Sequence, residues 1–314
     1  MIEERWIAGF WRRIGALIID GLVLGFVGFV LGLALEKAFI QMGGWGRLIG
    51  FAIALLYFGV MNSSIAKGQT LGKKLLHVRV VNASNHTINL ARSFARYTVL
   101  GLPFFLNGAR FFNETTLPYL IYPISLIVFG GLISIPYLYI FNRTTRQSLH
   151  DLAVGTYVVN SGSPKQSIGR VWKPHLIVVA LVLAVSAAVP VFTANLLDRE
   201  QFRDMQAIQK AISNKSAVNF VDVTDGSSTF NPVGGDTKTR SFVNVQAFLL
   251  ENNIKDSRLA RKMAEIVVVT CADAKSRDVI NITLTYGYDI GIWSRWSYQT
   301  HSFNPDNLSS GKEV

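Results

Sequence analysis

Apolar residues gather into runs separated by polar and basic stretches, and the lengths of these runs predict helices of membrane-crossing size. Ile14 to Leu35 is 22 residues with a single charge, Asp20, and about 20 residues of helix cross a hydrocarbon core. Trp45 to Ile65, Pro118 to Phe141 and Leu176 to Leu197 are similarly long. The run between the second and fourth, Tyr97 to Leu106, is short and contains Pro103; a helix over 90–112, with Arg92 and Arg96 snorkelling to the surface, completes a crossing there. No small-residue cleavage site follows the first run, so it reads as a retained anchor.

After residue 197 the pattern changes. Leu197, Met205, Ile208 and Ile212 recur at helical spacing, so the last span is expected to continue as a helix to about Ser213. Val218 to Val223 and Glu265 to Cys271 read as strands, and Ile280, Ile282, Leu284 and Tyr286 alternate with polar residues as a half-buried strand does. Asp289 to Ser302 follows after Gly287, predicting an antiparallel meander. Asp225 to Lys238 reads as a loop, and the tail after Asn304 as frayed. The fold class is therefore an α-helical membrane bundle of about five transmembrane helices plus a small extracytoplasmic α+β domain with an antiparallel sheet. Its parts are a core over 1–160 with spans at 14–35, 45–65, 90–112 and 118–141, a linker over 161–174, a fifth span over 175–197 and the outer domain over 198–314.

Charge orients this bundle. Residues 1–197 hold 17 Lys and Arg against 6 Asp and Glu, and residues 198–314 hold 14 against 14, so the formal +11 belongs to the first part. The basic residues concentrate at 5–13, 67–96 and 143–173. Basic loops stay on the cytoplasmic side, which puts the amino terminus inside and 198–314 outside. The chain is 50% hydrophobic and 16% charged, below the ~25% charged of soluble domains. Basic loops flanking apolar runs match anionic lipid headgroups rather than nucleic acid. One cysteine, Cys271, excludes an intramolecular disulfide and a Cys-rich metal site; it reads as a small buried residue of a strand. No metal or cofactor is expected.

Asp20 stands two turns beyond Arg13 on one face of the first helix. A carboxylate at that depth must be paired, hydrated or protonated. It is either an ion or proton site or an interhelical contact to Arg13, Asn62 or Arg96. Gly21, Gly25, Gly28 and Gly32 share one stripe of that helix, where a second helix is expected to pack closely or a substrate path to run. The prolines at 103, 123, 136 and 190 read as kinks. Gly68-Gln69-Thr70-Leu71-Gly72-Lys73-Lys74 fails as a phosphate loop: three residues separate its glycines, and Lys74 stands where Ser or Thr is needed. It reads as a turn and short surface helix with lysines towards lipid phosphates. Leu76 to Val81 and Thr87 to Leu90 read as a hairpin, and Thr156 to Val159 as a strand. His150 beside Asp151 suggests proton handling or a cap and salt bridge.

These residues, taken together, resemble the RDD family, whose name refers to one arginine and two aspartates. Arg13 and Asp20 fit the first-helix pair, and Asp151 fits the second aspartate. Supporting matches are Gly68 to Lys73, Val78-Arg79-Val80-Val81 and Ser148-Leu149-His150-Asp151 with Gly155-Thr156. The resemblance covers roughly residues 5–160. It implies a bacterial membrane protein with a four-span core, for which transport is the usual suggestion, and says nothing of the added span and outer domain.

Three function classes follow. A transporter or cation/proton exchanger would use Asp20 with Arg13 and Asn62. A membrane-anchored sensor or scaffold would bind a partner or small ligand through Tyr286, Tyr288, Trp293, Trp296 and Tyr298, provided they are exposed. An enzyme is disfavoured: no histidines stand at paired metal-ligand spacing, and there is no Gly-x-Ser-x-Gly elbow. The glycine stripe could also join two copies of the chain.

Overall fold

A computed structural model describes residues 5–108, 120–197, 200–215, 217–230 and 237–309. The chain forms two compact units, one comprising Met1–Leu35, Gly44–Phe192 and Asp289–Trp293, the other Glu36–Gly43, Thr193–Tyr288 and Ser294–Val314.

The first unit is helical. Its elements are α1 (Phe10–Met42), which breaks its helical geometry at Leu35, α2 (Gly46–Met61), the short α3 (Leu71–Leu75), β1 (Val78–Asn82) and α4 (Leu90–Leu106). There follow α5 (Ile121–Ser125), a π-helical turn at Leu126–Gly130, α6 (Gly131–Phe141), α7 (Leu149–Val154), β2 (Thr156–Asn160) and α8 (Lys173–Leu197). Among the described residues three helical segments are long and apolar enough to cross a membrane: Phe10–Met61, Ile121–Phe141 and Lys173–Ala194. The first contains both α1 and α2. Ile18, Leu22, Phe26 and Leu33 on α1 and Leu181 and Val185 on α8 are all more than half exposed, as side chains facing lipid are. The apolar helices mark a membrane protein.

The expected third crossing is α4, a helix of 17 residues ending at Leu106; 109–112 lie outside the described residues, as do 118–119 of the fourth. Arg96 does not snorkel, being 4% exposed. Close helix contacts come from single glycines rather than from the predicted stripe. A Cβ on Gly59 would stand 2.9 Å from the Phe94 ring of α4, and one on Gly131 would overlap Pro103. On the stripe, Gly21 has open space beside it, while Gly25 and Gly28 lie against Ile292 and Trp293 and not against a helix. Phe58 of α2 stacks on Tyr97 of α4 at 4.6 Å and 15°.

The hairpin expected between 76–81 and 87–90 does not form. β1 pairs antiparallel with β2, Val78 opposite Asn160 and Asn82 opposite Thr156, and Leu90 opens α4. A turn does stand at 82–86, with Asn82 N–H donating to His86 O at 2.8 Å, but the segment after it bridges Ser63 through Ile88 instead of pairing with β1, and β2 supplies the partner strand with Val158 and Val159. Ala8, Ala16 and Ile88 pack on Val78, Val80 and Val158 as a small core beside the helices.

The second unit contains α9 (Glu200–Ser213), β3 (Val218–Phe230), β4 (Lys238–Leu249), α10 (Ser257–Thr270), β5 (Val279–Asp289), β6 (Ser294–Phe303) and α11 (Pro305–Ser309). α9 ends at Ser213 as expected; its junction with α8 at 198–199 lies outside the described residues. The sheet order is β3-β4-β5-β6. β3 and β4 are antiparallel, so 225–230 and 238 belong to strands and not to the expected loop; 231–236 lie outside the described residues. β4 and β5 run parallel, Phe242 opposite Val279 and Leu249 opposite Tyr286. The sheet is therefore mixed, not an antiparallel meander throughout. A parallel pair requires a crossover, and α10 supplies it.

That helix contains the segment Glu265 to Cys271 predicted as a strand. Ile266, Val267, Val268 and Val269 are β-branched and read locally as strand. The longer window Ala260, Met263, Ala264, Val267, Val268 has helical spacing and is buried against the sheet, and the Asp256 carboxylate caps the first turn by accepting from Arg258 and Leu259 N–H at 2.9 and 3.0 Å. Tertiary burial overrides local propensity. Cys271 is buried just past this helix, not in a strand. The segment 305–309, expected frayed, is helical, with Leu308 joining the core. Truncating the fully buried Met263 to Ala should cost about 2–5 kcal/mol; urea unfolding of the full chain, followed by near-ultraviolet circular dichroism, measures it, and a loss below 1 kcal/mol would contradict this packing.

Candidate functional site

The polar residues singled out from the sequence do not form one cluster. They form two, each built on a fully buried aspartate of the first unit.

Asp151 lies in the first turn of α7. Its Oδ2 accepts from Arg13 Nη2 of α1 at 2.9 Å, and its Oδ1 accepts from Arg96 Nη2 of α4 at 2.7 Å, Arg96 Nε at 3.1 Å and Thr156 Oγ1 at 3.1 Å. It also closes a capping box with Ser148, whose N–H donates to Oδ2 at 3.3 Å. Arg13 further donates to the Arg146 carbonyl and lies over the Tyr139 ring at 4.6 Å. One carboxylate thus joins α1, α4 and α7. Burial alone raises a carboxyl's pKa; here the Arg96 and Arg13 guanidiniums overcome it and hold Asp151 well below the usual carboxylate range.

His150 has Nε2 3.5 Å from Asp151, while Nδ1 is buried with no partner among the described residues. Burial pushes its imidazole down to about 3, Asp151 opposing and Arg96 and Arg13 assisting. The two arginines already compensate the carboxylate, so His150 stays neutral at physiological pH. The cap is made by Asp151, and His150 makes no charged bridge.

Asp20, on the inward face of α1, meets none of the partners foreseen for it. Its Oδ1 accepts from Tyr57 OH of α2 at 2.7 Å and Gly72 N–H of α3 at 2.8 Å, and its Oδ2 accepts from Thr70 Oγ1 at 2.5 Å, with Lys73 Nζ 3.9 Å away. The Gly68 to Lys73 motif is the other half of this site. Gly68 sits at φ +73°, where a side chain would meet the Val80 carbonyl. Gln69 ties the turn to β1 and its neighbourhood, donating to Val78 O and Ser161 Oγ at 3.0 Å each. Thr70 caps α3 by accepting from Lys73 N–H. A Cβ on Gly72 would overlap the Ala16 carbonyl, so only glycine lets α3 approach α1. The motif is a carboxylate clamp, and Lys73 points into the protein and not to lipid; Lys74 is exposed.

Asn62, placed with Asp20 from the sequence, instead donates to Phe58 O at 2.9 Å, and its Oδ1 has no partner among the described residues. Tyr57 was missed; the available signal was a phenol in the apolar stretch that follows Arg47.

Between the two clusters lies a cavity of about 270 Å³. Arg13, Lys73, Arg96 and His150 contribute the polar part of a wall otherwise made by apolar side chains such as Leu17, Phe58 and Ile135. Asp20 does not line it; Lys73 separates the two. Burial, with Arg96 assisting, pushes the Lys73 ammonium down to about 7 against the pull of Asp20 and Asp151. Among the described residues no group of three or more His, Cys, Asp or Glu is placed to hold a metal ion.

The family model described as "RDD family" matches residues 7–155, the stretch that holds Arg13, Asp20, the Gly68 motif and Asp151. Residues 7–155 are thus similar to the RDD family. The strands of the second unit lie beyond that match. Two Bacillus subtilis proteins, both described as uncharacterized, are similar to part of this chain: YxaI at 25% identity, covering 33% of this chain and 80% of its own length, and YckC at 26%, covering 48% and 83%. No solved structure matches.

The neutral His150 has a pH signature. Its folded pKa, about 3, lies below the unfolded value of about 6.5. As pH falls through 6.5 the unfolded chain takes a proton that the folded chain refuses, so stability declines by up to about 1.4 kcal/mol per pH unit. The Asp151 contribution, from a depressed carboxyl, is present above about 3.8 and is lost only below it. Between pH 6 and 4 the melting temperature of detergent-solubilised wild type should therefore fall more steeply than that of His150→Gln. Parallel curves would show that His150 does not carry this dependence.

Proposed function

We propose that the protein is a bacterial inner-membrane transporter exchanging a monovalent cation for a proton at the Lys73–Asp20 pair. One observation carries this reading: an ammonium 3.9 Å from a fully buried carboxylate, 12% exposed on the wall of a cavity, with its proton affinity brought near neutrality. Protonated Lys73 occupies the charge of Asp20. Once Lys73 loses its proton, Asp20 Oδ2 and Thr70 Oγ1 can take up a metal cation in its place, and the cation's arrival favours proton release. One positive charge replaces another at the site, so the buried charge stays constant. Asp151 with its two arginines carries no exchangeable charge in this scheme and acts as the rigid wall.

Cation uptake should then rise with pH up to about 7 and level above it. In proteoliposomes carrying an internal pH dye, pulses of Na⁺, K⁺ or Li⁺ should release protons in wild type. Asp20→Asn removes the anion, and Lys73→Arg keeps a permanent cation at it; both should abolish the exchange while the protein remains folded. Flux that persists in Lys73→Arg would sink this assignment.

The orientation we propose puts the amino terminus in the cytoplasm and 198–314 outside. Ser228 is exposed on β3, and a cysteine introduced there should react with an impermeant thiol reagent once the outer membrane alone is opened. Reaction only after the inner membrane is also opened would reverse the topology.

A second reading, a sensor whose outer unit binds a partner, is favoured by Trp296 and Tyr298 on β6, 43% and 69% exposed. Tyr288 is buried and Tyr286 half-buried, so the expected aromatic patch is reduced. Absence of flux in every lipid and cation tried would favour this second reading.

A further inference from the structure

A second cavity, of about 320 Å³, adjoins the first, and Phe10, Tyr139 and Ile140 line both. Its remaining lining is Asn142, Arg143 and Arg146, at the end of a helical segment long and apolar enough to span a membrane. Both arginines lie on a turn that is fixed from within. Asn142 Nδ2 donates to Thr145 Oγ1 at 2.8 Å and to Gln147 O at 2.9 Å, and Gln147 Nε2 donates to Thr156 O at 2.9 Å. Arg146 holds φ +52°, a conformation a non-glycine side chain rarely takes unless its surroundings impose it. Among the described residues neither Arg143 nor Arg146 has an ion-pair partner. The turn that carries the two guanidiniums is thus fixed, and neither is matched by a carboxylate among the described residues.

The wall beside them is apolar and exposed. Ile140, which lines both cavities, and Leu17, which lines the first, are 50 and 45% exposed, and belong to helices that present such side chains to lipid. A soluble anion would use the arginines and leave this wall uncovered; an amphiphile uses both.

We propose that this pocket binds the phosphate of an anionic phospholipid, with Arg143 and Arg146 on the headgroup and the acyl chains along Ile140 and Leu17. Guanidiniums suit phosphate because their donors match its oxygens in pairs. The Arg146 backbone carbonyl accepts from Arg13, so an occupied pocket would touch the Asp151 cluster through one residue. This inference does not depend on exchange at Lys73, and its test reads lipid and not flux.

Native mass spectrometry of the full chain, released from detergent after incubation with equal phosphatidylglycerol and phosphatidylcholine, counts what is retained. Wild type should keep phosphatidylglycerol preferentially. Arg143→Gln with Arg146→Gln should reduce that preference about tenfold or more, as two cations at a membrane surface would, while Arg170→Gln, an exposed arginine outside the lining, should leave it unchanged. Size-exclusion profiles matching wild type establish that the double variant is folded, and each single variant should give a partial loss. Millimolar glycerol phosphate should not displace the lipid. Equal retention by wild type and the double variant would overturn the site, and displacement by glycerol phosphate would make it a soluble-anion site instead.

Discussion

A single buried carboxylate, that of Asp151, is the constraint on which the first unit depends. Two guanidiniums from different helices converge on it, and a hydroxyl and a backbone N–H satisfy its remaining acceptors. Such a cluster is not justified by its net stability, since burying ions costs about as much as their attraction returns. It is consequential because its parts cannot be removed singly: taking one partner away leaves an uncompensated buried charge, at roughly 3–5 kcal/mol. The packing of α1, α4 and α7 is thereby fixed to one arrangement, and the position of everything hung on those helices follows.

The two aspartates share burial and differ in electrostatics. Asp151 is opposed by two guanidiniums that stay charged at any physiological pH. Asp20 is held by a phenol, a hydroxyl and a peptide N–H, with its one formal counter-charge on a lysine. Lysine yields its proton when buried and arginine does not. The same helix α1 thus carries a fixed charge cluster at Arg13 and, two turns on, a carboxylate facing a titratable cation.

Much of the helical unit was legible because its signals are long. Apolar runs of some 20 residues, the Asp20 interruption and the Gly68 motif are visible without any partner known. The pairing within the site was not. Arg13 and Asp20 share a helix face and look like a pair, yet each finds a partner from a different segment, because a ten-ångström axial separation exceeds what a side-chain contact spans. Lys73 reads as a surface lysine until Gly72 is seen to bring α3 under α1. In the second unit, the Ile266 to Val269 run reads as strand over four residues and as helix over nine, and burial decides for the longer window. β1 was correctly a strand but misassigned to a near neighbour, since its true partner begins 74 residues later.

The order of synthesis gives the Asp151 cluster a history as well as a geometry. Arg13 and Asp151 are 138 residues apart, and Arg96 and Asp151 are 55 apart. At translation speeds of about 5–20 residues per second, Arg13 waits roughly 7 to 28 seconds for its counter-ion. Throughout that interval Arg13 lacks the carboxylate it pairs with in the folded chain. The cluster can therefore close only once α1, α4 and α7 have all been made, so the contact that fixes these three helices is among the last that this part of the chain can form.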